Sequence, residues 1–215
     1  MVNCTGSVLV NGGSLQAMTT AQIIAVWTFA LIGSFTPGPN NTIAMVTGVH
    51  HGLRAALPHV FGVPSGFTTM LLAGLAGMAA LITASTTAML VIKAAGIAYL
   101  LWLAWGLFGS STLSEARVVK PFTFLQSAAF QYANPKAWML SVAITSSYAS
   151  AGTFSERAVH IVIAFFIAAM ASLLLWAWMG DALSHWLKQG ARLVWFNRVM
   201  ALSLAATAIW MGFGT

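Results

Sequence analysis

The run Thr36-Pro37-Gly38-Pro39-Asn40-Asn41 decides how this chain folds. It interrupts an apolar stretch that would otherwise cross a membrane as one helix. Two prolines two residues apart leave backbone carbonyls without helical N–H partners, and the glycine between them adds freedom rather than order. The helix must break here. An unpaired peptide group in hydrocarbon costs several kcal/mol, so a break at this depth is tolerated only where protein or a water-filled cavity surrounds it. The break is therefore a candidate binding site.

The surrounding chain is that of a membrane protein. Of its 215 residues, 59% are hydrophobic and 6% charged, and the mean hydropathy is +0.86. Soluble domains carry about 25% charged residues. At about 20 to 25 residues per span, roughly six crossings fit, forming a single bundle. The formal charge of +6 comes from nine basic residues dispersed between apolar spans. They form no patch, so nucleic acid is not an expected partner and the lipid bilayer is. The single cysteine, Cys4, excludes an internal disulfide and a multi-cysteine metal site.

Residues 1–17 are small and polar and carry no Lys or Arg, which makes a poor signal peptide. They are expected to form a disordered extension, with a single six-helix domain over 18–215. Six apolar segments follow: Ala21 to Gly48, broken at the Pro-Gly-Pro, then Ala55 to Thr83, Thr86 to Phe108, Phe122 to Ala149, Arg157 to Gly180 and Val194 to Phe213. Arg54, Arg117, Lys120, Lys188 and Arg192 fall in alternate connections, with Arg198 near the start of the sixth segment; only Arg157 flanks the other set. Positive residues stay cytoplasmic, so both termini are expected outside the cytoplasm. Trp102, Trp105, Trp176, Trp178 and Trp195 fall near the expected cytoplasmic ends, where an indole suits the interface.

The fourth segment carries its own break at Asn134-Pro135, about a hundred residues after the first and at a similar place in its run. With three spans per half, the halves (about 20–108 and 122–213) enter from opposite sides. That is the 3+3 inverted-repeat plan of many secondary transporters, with the two breaks meeting near the midplane. The bland reading is a proline that merely kinks a helix.

Lys136 follows Pro135 in mid-span. A cation at a helix centre costs about 2.5 to 3.5 kcal/mol on insertion scales, so it should point into the bundle, where it can receive a substrate carboxylate beside the N–H ends of the broken helices. A snorkelling or neutralised lysine is the structural alternative. Lys93 lies within snorkelling range of an interface, and structural use is at least as good a reading. The pairs Gly48/Gly52 and Gly62/Gly66, with Gly74 and Gly77, are expected to serve helix packing, and such small-residue faces would also permit a homodimer. His50 and His51 are expected at a solvated turn, and His59 near a span end.

Several classes lose support. There is no phosphate-cradling GxxxxGK[ST] run. Glu115, Glu156 and Asp181 are the only acids, all at expected span ends or connections. No intramembrane carboxylate is available to bind a metal or relay protons, so neither a metal, a cofactor nor catalytic residues are implied.

Taken together, Thr36-Pro37-Gly38-Pro39-Asn40-Asn41, Gly48, His51-Gly52, Arg54, Gly62 and Gly66 resemble the signature of the LysE/RhtB family of bacterial amino-acid exporters. Two later blocks agree: Lys93-Ala94-Ala95-Gly96-Ile97-Ala98-Tyr99-Leu100, and Phe130-Gln131-Tyr132-Ala133-Asn134-Pro135-Lys136. The resemblance implies a multi-pass protein of the cytoplasmic (inner) membrane that exports amino acids by a secondary mechanism. Branches exporting basic amino acids place aspartates where this chain has Ser65 and Leu140, which implies a neutral substrate. Trp27-Thr28-Phe29, the doubled asparagine and Phe130-Gln131-Tyr132 look most like the cysteine and O-acetylserine branch, while Gln126 and Pro64 stand where many members carry small residues.

The expected site comprises Pro37, Gly38, Pro39, Asn40, Asn41, Ser65, Asn134, Pro135 and Lys136. Lys136 and the helix ends would hold the carboxylate, and Asn40, Asn41 and Asn134 the ammonium or polar backbone groups. The rivals are a non-transporting membrane scaffold, in which breaks and glycines serve packing alone, and a passive small-solute channel.

Overall fold

A computed structural model describes residues 17–77, 85–109, 120–148, 153–187, 189 and 191–213. Apart from Ala17, the expected N-terminal extension lies outside the described residues, as do the expected segment ends at Thr83 and Ala149, and Glu115, Arg117 and Lys188. Among the described residues the chain is all-helical: α1 (Thr20–Phe35), α2 (Pro39–His51), α3 (Leu53–Leu75), α4 (Thr86–Phe108), α5 (Phe124–Ala133), α6 (Pro135–Ser147), α7 (Phe154–Leu187) and α8 (Arg192–Phe213).

The helix pairs α1–α2 and α5–α6 open with the same device. Gln22 N–H donates to Thr19 Oγ1 at 3.3 Å and Thr19 N–H to Gln22 Oε1 at 2.8 Å, a capping box at the start of α1. Thr123 and Gln126 repeat it at the start of α5, at 3.2 and 3.0 Å. Such boxes satisfy amide donors that the first helical turn would leave free. Both second halves begin with proline at the first helical position, Pro39 and Pro135, where the missing N–H has no intrahelical partner to lose. Each second half is 13 residues long. The axis bends by 52° between α1 and α2.

By length and composition α7 and residues Arg192–Trp210 of α8 are each able to cross a membrane, and the bent pair α1–α2 makes a third candidate. Helix α7 runs to Leu187, beyond the end expected at Gly180. Gly180 does not terminate it: a Cβ there would collide with the Met45 carbonyl of α2, so the glycine serves close approach. Gly48 meets the Ala177 carbonyl of α7 in the same crossing. Gly62 and Gly66 do likewise for α3 against Phe124 and Ala128 of α5. These glycines pack helices backbone to backbone, as expected from their spacing.

The apolar residues divide into two main clusters, one on each side of the breaks. The first joins α1, the second half of α3, α6 and the first half of α7 around Phe165, with Phe67 edge-on at 5.3 Å. The second joins α2, α4, α5 and α8 around Phe122 and Phe130. Trp102, Trp105, Trp178 and Trp195 are exposed, with side chains on the outside of the bundle. His50 departs from its expected solvated place: it is half-buried, its Nε2 3.0 Å from Oδ1 of the fully buried Asn197. Helix α8 packs across the end of α2 and covers it.

A candidate substrate site at the two helix breaks

The breaks face each other. Lys136, second residue of α6, reaches 2.7 Å from Nζ to the carbonyl of Thr36 at the end of α1. Residues at a helix C-terminus leave carbonyls unpaired and carry partial negative charge, so an ammonium group is a fitting cap. Asn41 shares the work, its Nδ2 donating to the carbonyls of Ser34 at 2.8 Å and Thr36 at 3.1 Å, while Ser172 Oγ of α7 donates to Ser34 O at 2.9 Å. Gly38 adopts an extended conformation, and the Lys136 side chain lies over it: a Cβ on Gly38 would stand 3.3 Å from both Cδ and Nζ.

Asn40, second residue of α2, reaches the other way. Its Nδ2 donates to Gln131 Oε1 of α5 at 2.9 Å, and Gln131 Nε2 donates back to Asn40 Oδ1 at 3.3 Å and to the Ser127 carbonyl at 2.8 Å. Behind this amide pair, His59 of α3 is fully buried, with Nε2 3.1 Å from the Asn40 carbonyl and Nδ1 2.9 Å from Ser127 Oγ. A carbonyl only accepts, so Nε2 carries a proton. His59 therefore ties α2, α3 and α5 together one layer behind the site.

Between the two sets of bonds is a cavity of about 60 Å³. Asn40, Asn41, Gln131, Asn134, Lys136 and Ser34 form its polar wall, and Val63, Phe67, Leu140, Phe165 and Leu173 are on its apolar wall. None of its lining residues is acidic. Asn134 Oδ1 accepts from the Lys136 amide at 3.1 Å and so caps α6, which leaves its Nδ2 as a donor on the cavity wall. In α6 the amides of Lys136, Ala137 and Trp138 are already taken by Asn134, through its Oδ1 and its carbonyl, so the helix start better suited to an anion is that of α2.

Of the residues expected at the site, Gly38, Pro39, Asn40, Asn41, Asn134 and Lys136 line the cavity. Pro37 and Pro135 shape the breaks and are not on its wall. Ser65 is not there either: it lies two residues beyond Val63, about 200° around an α-helix, and its hydroxyl donates to the Phe61 carbonyl at 2.8 Å. Lys93, whose Nζ donates to the Gly212 carbonyl at 3.1 Å, ties α4 to the end of α8 away from the cavity. Sequence reasoning gave no site role to Gln131 and placed His59 at a span end. The signal for Gln131 was its position one turn before Asn134 in an apolar run.

A family model described as LysE type translocator matches residues 31–214. The chain belongs to that family. With the family goes the amino-acid exporter function expected from the sequence, that of a multi-pass membrane transporter and not an enzyme. The cysteine/O-acetylserine efflux proteins of Escherichia coli (strain K12), Shigella sonnei (strain Ss046) and Escherichia coli O6:H1 (strain CFT073) are each 35% identical to it over 133 residues, 61% of this chain and 67% of theirs. No solved structure matches the chain. In this translocator the Thr36–Asn41 block and the Phe130–Lys136 block supply all of the cavity's polar wall but Ser34.

Proposed function

We propose that this translocator exports a neutral amino acid or a close derivative, of cysteine/O-acetylserine or threonine/homoserine/leucine type, across the cytoplasmic membrane by a secondary mechanism. Its six spans, α1–α2, α3, α4, α5–α6, α7 and α8, form a 3+3 inverted repeat with both termini outside the cytoplasm. The repeat is supported by the matched capping boxes, the matched proline starts and the equal lengths of α2 and α6. The third helices of the two halves, α4 and α8, also pack on each other.

One observation carries the substrate assignment: a single cation and the start of α2 converge on a cavity whose wall holds no acid. The substrate carboxylate binds Lys136, the Asn134 amide and the first turn of α2. Charge-assisted hydrogen bonds are roughly twice as strong as neutral ones, so a carboxylate displaces Lys136 from the uncharged Thr36 carbonyl. The Thr36 carbonyl thus released by Lys136 accepts the substrate ammonium. A cationic side chain would add a second positive charge with no carboxylate to compensate its desolvation, which is prohibitive. At about 60 Å³ the cavity holds a few waters, far below the roughly 300–1,000 Å³ of ligand pockets, so the halves must part before substrate enters. Rocking of the halves around the breaks then alternates access.

Proteoliposomes loaded in turn with neutral amino acids, O-acetylserine and lysine test this reading. Saturable efflux of a neutral compound, abolished in Lys136→Ala at equal protein content, is expected. Efflux that never saturates would point to a channel, and no efflux of any loaded compound to a scaffold.

A further inference from the structure

The breaks are bridged twice, and the bridges are counterparts. Asn40 and Lys136 each follow the proline that starts the second half of a broken span, and each side chain crosses to the first half of the other span. Asn40 ties α2 to Gln131 of α5 on the side of the Phe130 cluster. Lys136 ties α6 to Thr36 at the end of α1 on the side of the Phe165 cluster. Backbone crossings through glycine join other pairs, α2 to α7 and α3 to α5. The seams between α2 and α5, and between α1 and α6, are closed by side chains. Breaking side-chain hydrogen bonds costs little net free energy, whereas separating close-packed helices exposes whole faces.

We propose that Asn40–Gln131 and Lys136–Thr36 are the two latches of the transport cycle, each closing the cavity from one side, with Gln131 a positioning residue that holds the first latch. This rests on the alternating-access reading above. Both latches are made in this structure, and the cavity between them is about 60 Å³. Release of Asn40–Gln131 opens the site along α2, past Thr47, which lies on the Asn40 face at helical spacing and is fully buried. The Thr47 hydroxyl has no hydrogen-bond partner in the closed arrangement, and water entering along this seam would provide one. Release of Lys136–Thr36 opens the opposite side along Leu140 and Ile144 of α6, where Leu140 covers Gly33 of α1. The two releases differ in trigger: a substrate carboxylate competes directly for the Lys136 ammonium, whereas the amide pair has no charge to attract it.

Single-cysteine reporters test this in a background carrying Cys4→Ser. Thr47→Cys reports one seam and Ile144→Cys the other, each read as the rate of labelling by a membrane-impermeant maleimide applied from either side of sealed vesicles. Asn40→Ala and Gln131→Leu should each raise labelling at Thr47→Cys about tenfold, the scale of losing hydrogen bonds of this kind, and leave Ile144→Cys at its starting rate. Lys136→Met and Lys136→Ala should do the reverse. Equal rises at both reporters, or no rise at either, would overturn the assignment. So would loss of the folded, monodisperse protein in both variants of one latch, because a bond opened in every cycle is not one on which the fold depends. Efflux by the wild-type protein is measured in parallel. Seam-specific labelling without efflux leaves the latches standing and removes the amino-acid cargo; efflux without seam-specific labelling does the opposite.

Discussion

Asn40 and Lys136 occupy the same place in α2 and α6, directly after the N-terminal proline, and are bonded in opposite directions across the breaks, to Gln131 at 2.9 Å and to the Thr36 carbonyl at 2.7 Å. One is neutral and its counterpart is charged. In the proposed inverted repeat, this difference in charge at matched positions would suit one end to the substrate carboxylate and so orient the cargo.

Removing the charge should separate function from fold. Lys136→Met is expected to reduce efflux at least tenfold, in line with the roughly 1.5–3 kcal/mol of a hydrogen bond to a charged group. The protein should still reach the membrane and elute as a single folded species. Lys136→Arg should recover only part of the activity, because a planar guanidinium does not fit the place of a compact ammonium over Gly38. Efflux rates normalised to protein content check both.

Gly38→Ala probes the same contact from the backbone. Gly38 is extended, with φ −179°, so alanine is conformationally allowed. The added methyl would sit 3.3 Å from Lys136 Cδ and Nζ and push the ammonium aside by a few tenths of an ångström. Thermal stability should change little while transport falls several-fold, read from efflux and melting curves on the same preparation.

The crossing glycines should behave in the opposite way. In Gly48→Ala and Gly66→Ala the methyl meets backbone, at Ala177 and Ala128 respectively. Backbone yields only by moving a helix, so a cost of at least about 1–3 kcal/mol is expected. Both variants should melt at lower temperature or fail to accumulate. Gly212→Ala, where a Cβ meets nothing within 4 Å, is the matched control and should be neutral.

Ser65→Ala should leave efflux within about twofold of wild type, because the hydroxyl is bonded to its own helix at Phe61 and does not line the cavity. Surface-type changes of this kind usually stay within about 0.5 kcal/mol. A large loss of transport would place Ser65 on the substrate path in another state of the cycle.

Lysine should fail to compete. Neutral-substrate efflux measured with excess lysine on the same side is expected to be unchanged, since the wall of Asn40, Asn41, Gln131, Asn134 and Lys136 contains no group to balance a second ammonium.

Much of the fold was legible because it depends on local chemistry. Proline at 37, 39 and 135 removes backbone donors whatever surrounds it, so the breaks at α1/α2 and α5/α6 followed from the residues alone. Glycine spacing at Gly48, Gly62 and Gly66 likewise announced close crossings. The segment expected to end at Gly180, where the apolar run meets Asp181, continues as helix to Leu187, and Gly180 stands inside it to admit the Met45 carbonyl. His50 was misplaced because a histidine beside a turn reads as solvated until Asn197, 147 residues later, packs over it.

That this chain is a membrane-embedded helical protein, that two of its helices are interrupted and that a lysine stands beside one interruption can be read from the order of residues alone. These follow from hydropathy and backbone valence, which act within a few residues. That Lys136 caps the end of α1, that Gln131 answers Asn40, that His59 stands behind them and that Ser65 faces away emerges from the packing of the helices. Those outcomes depend on which helix faces meet, and that is set by glycine crossings between residues far apart in the chain.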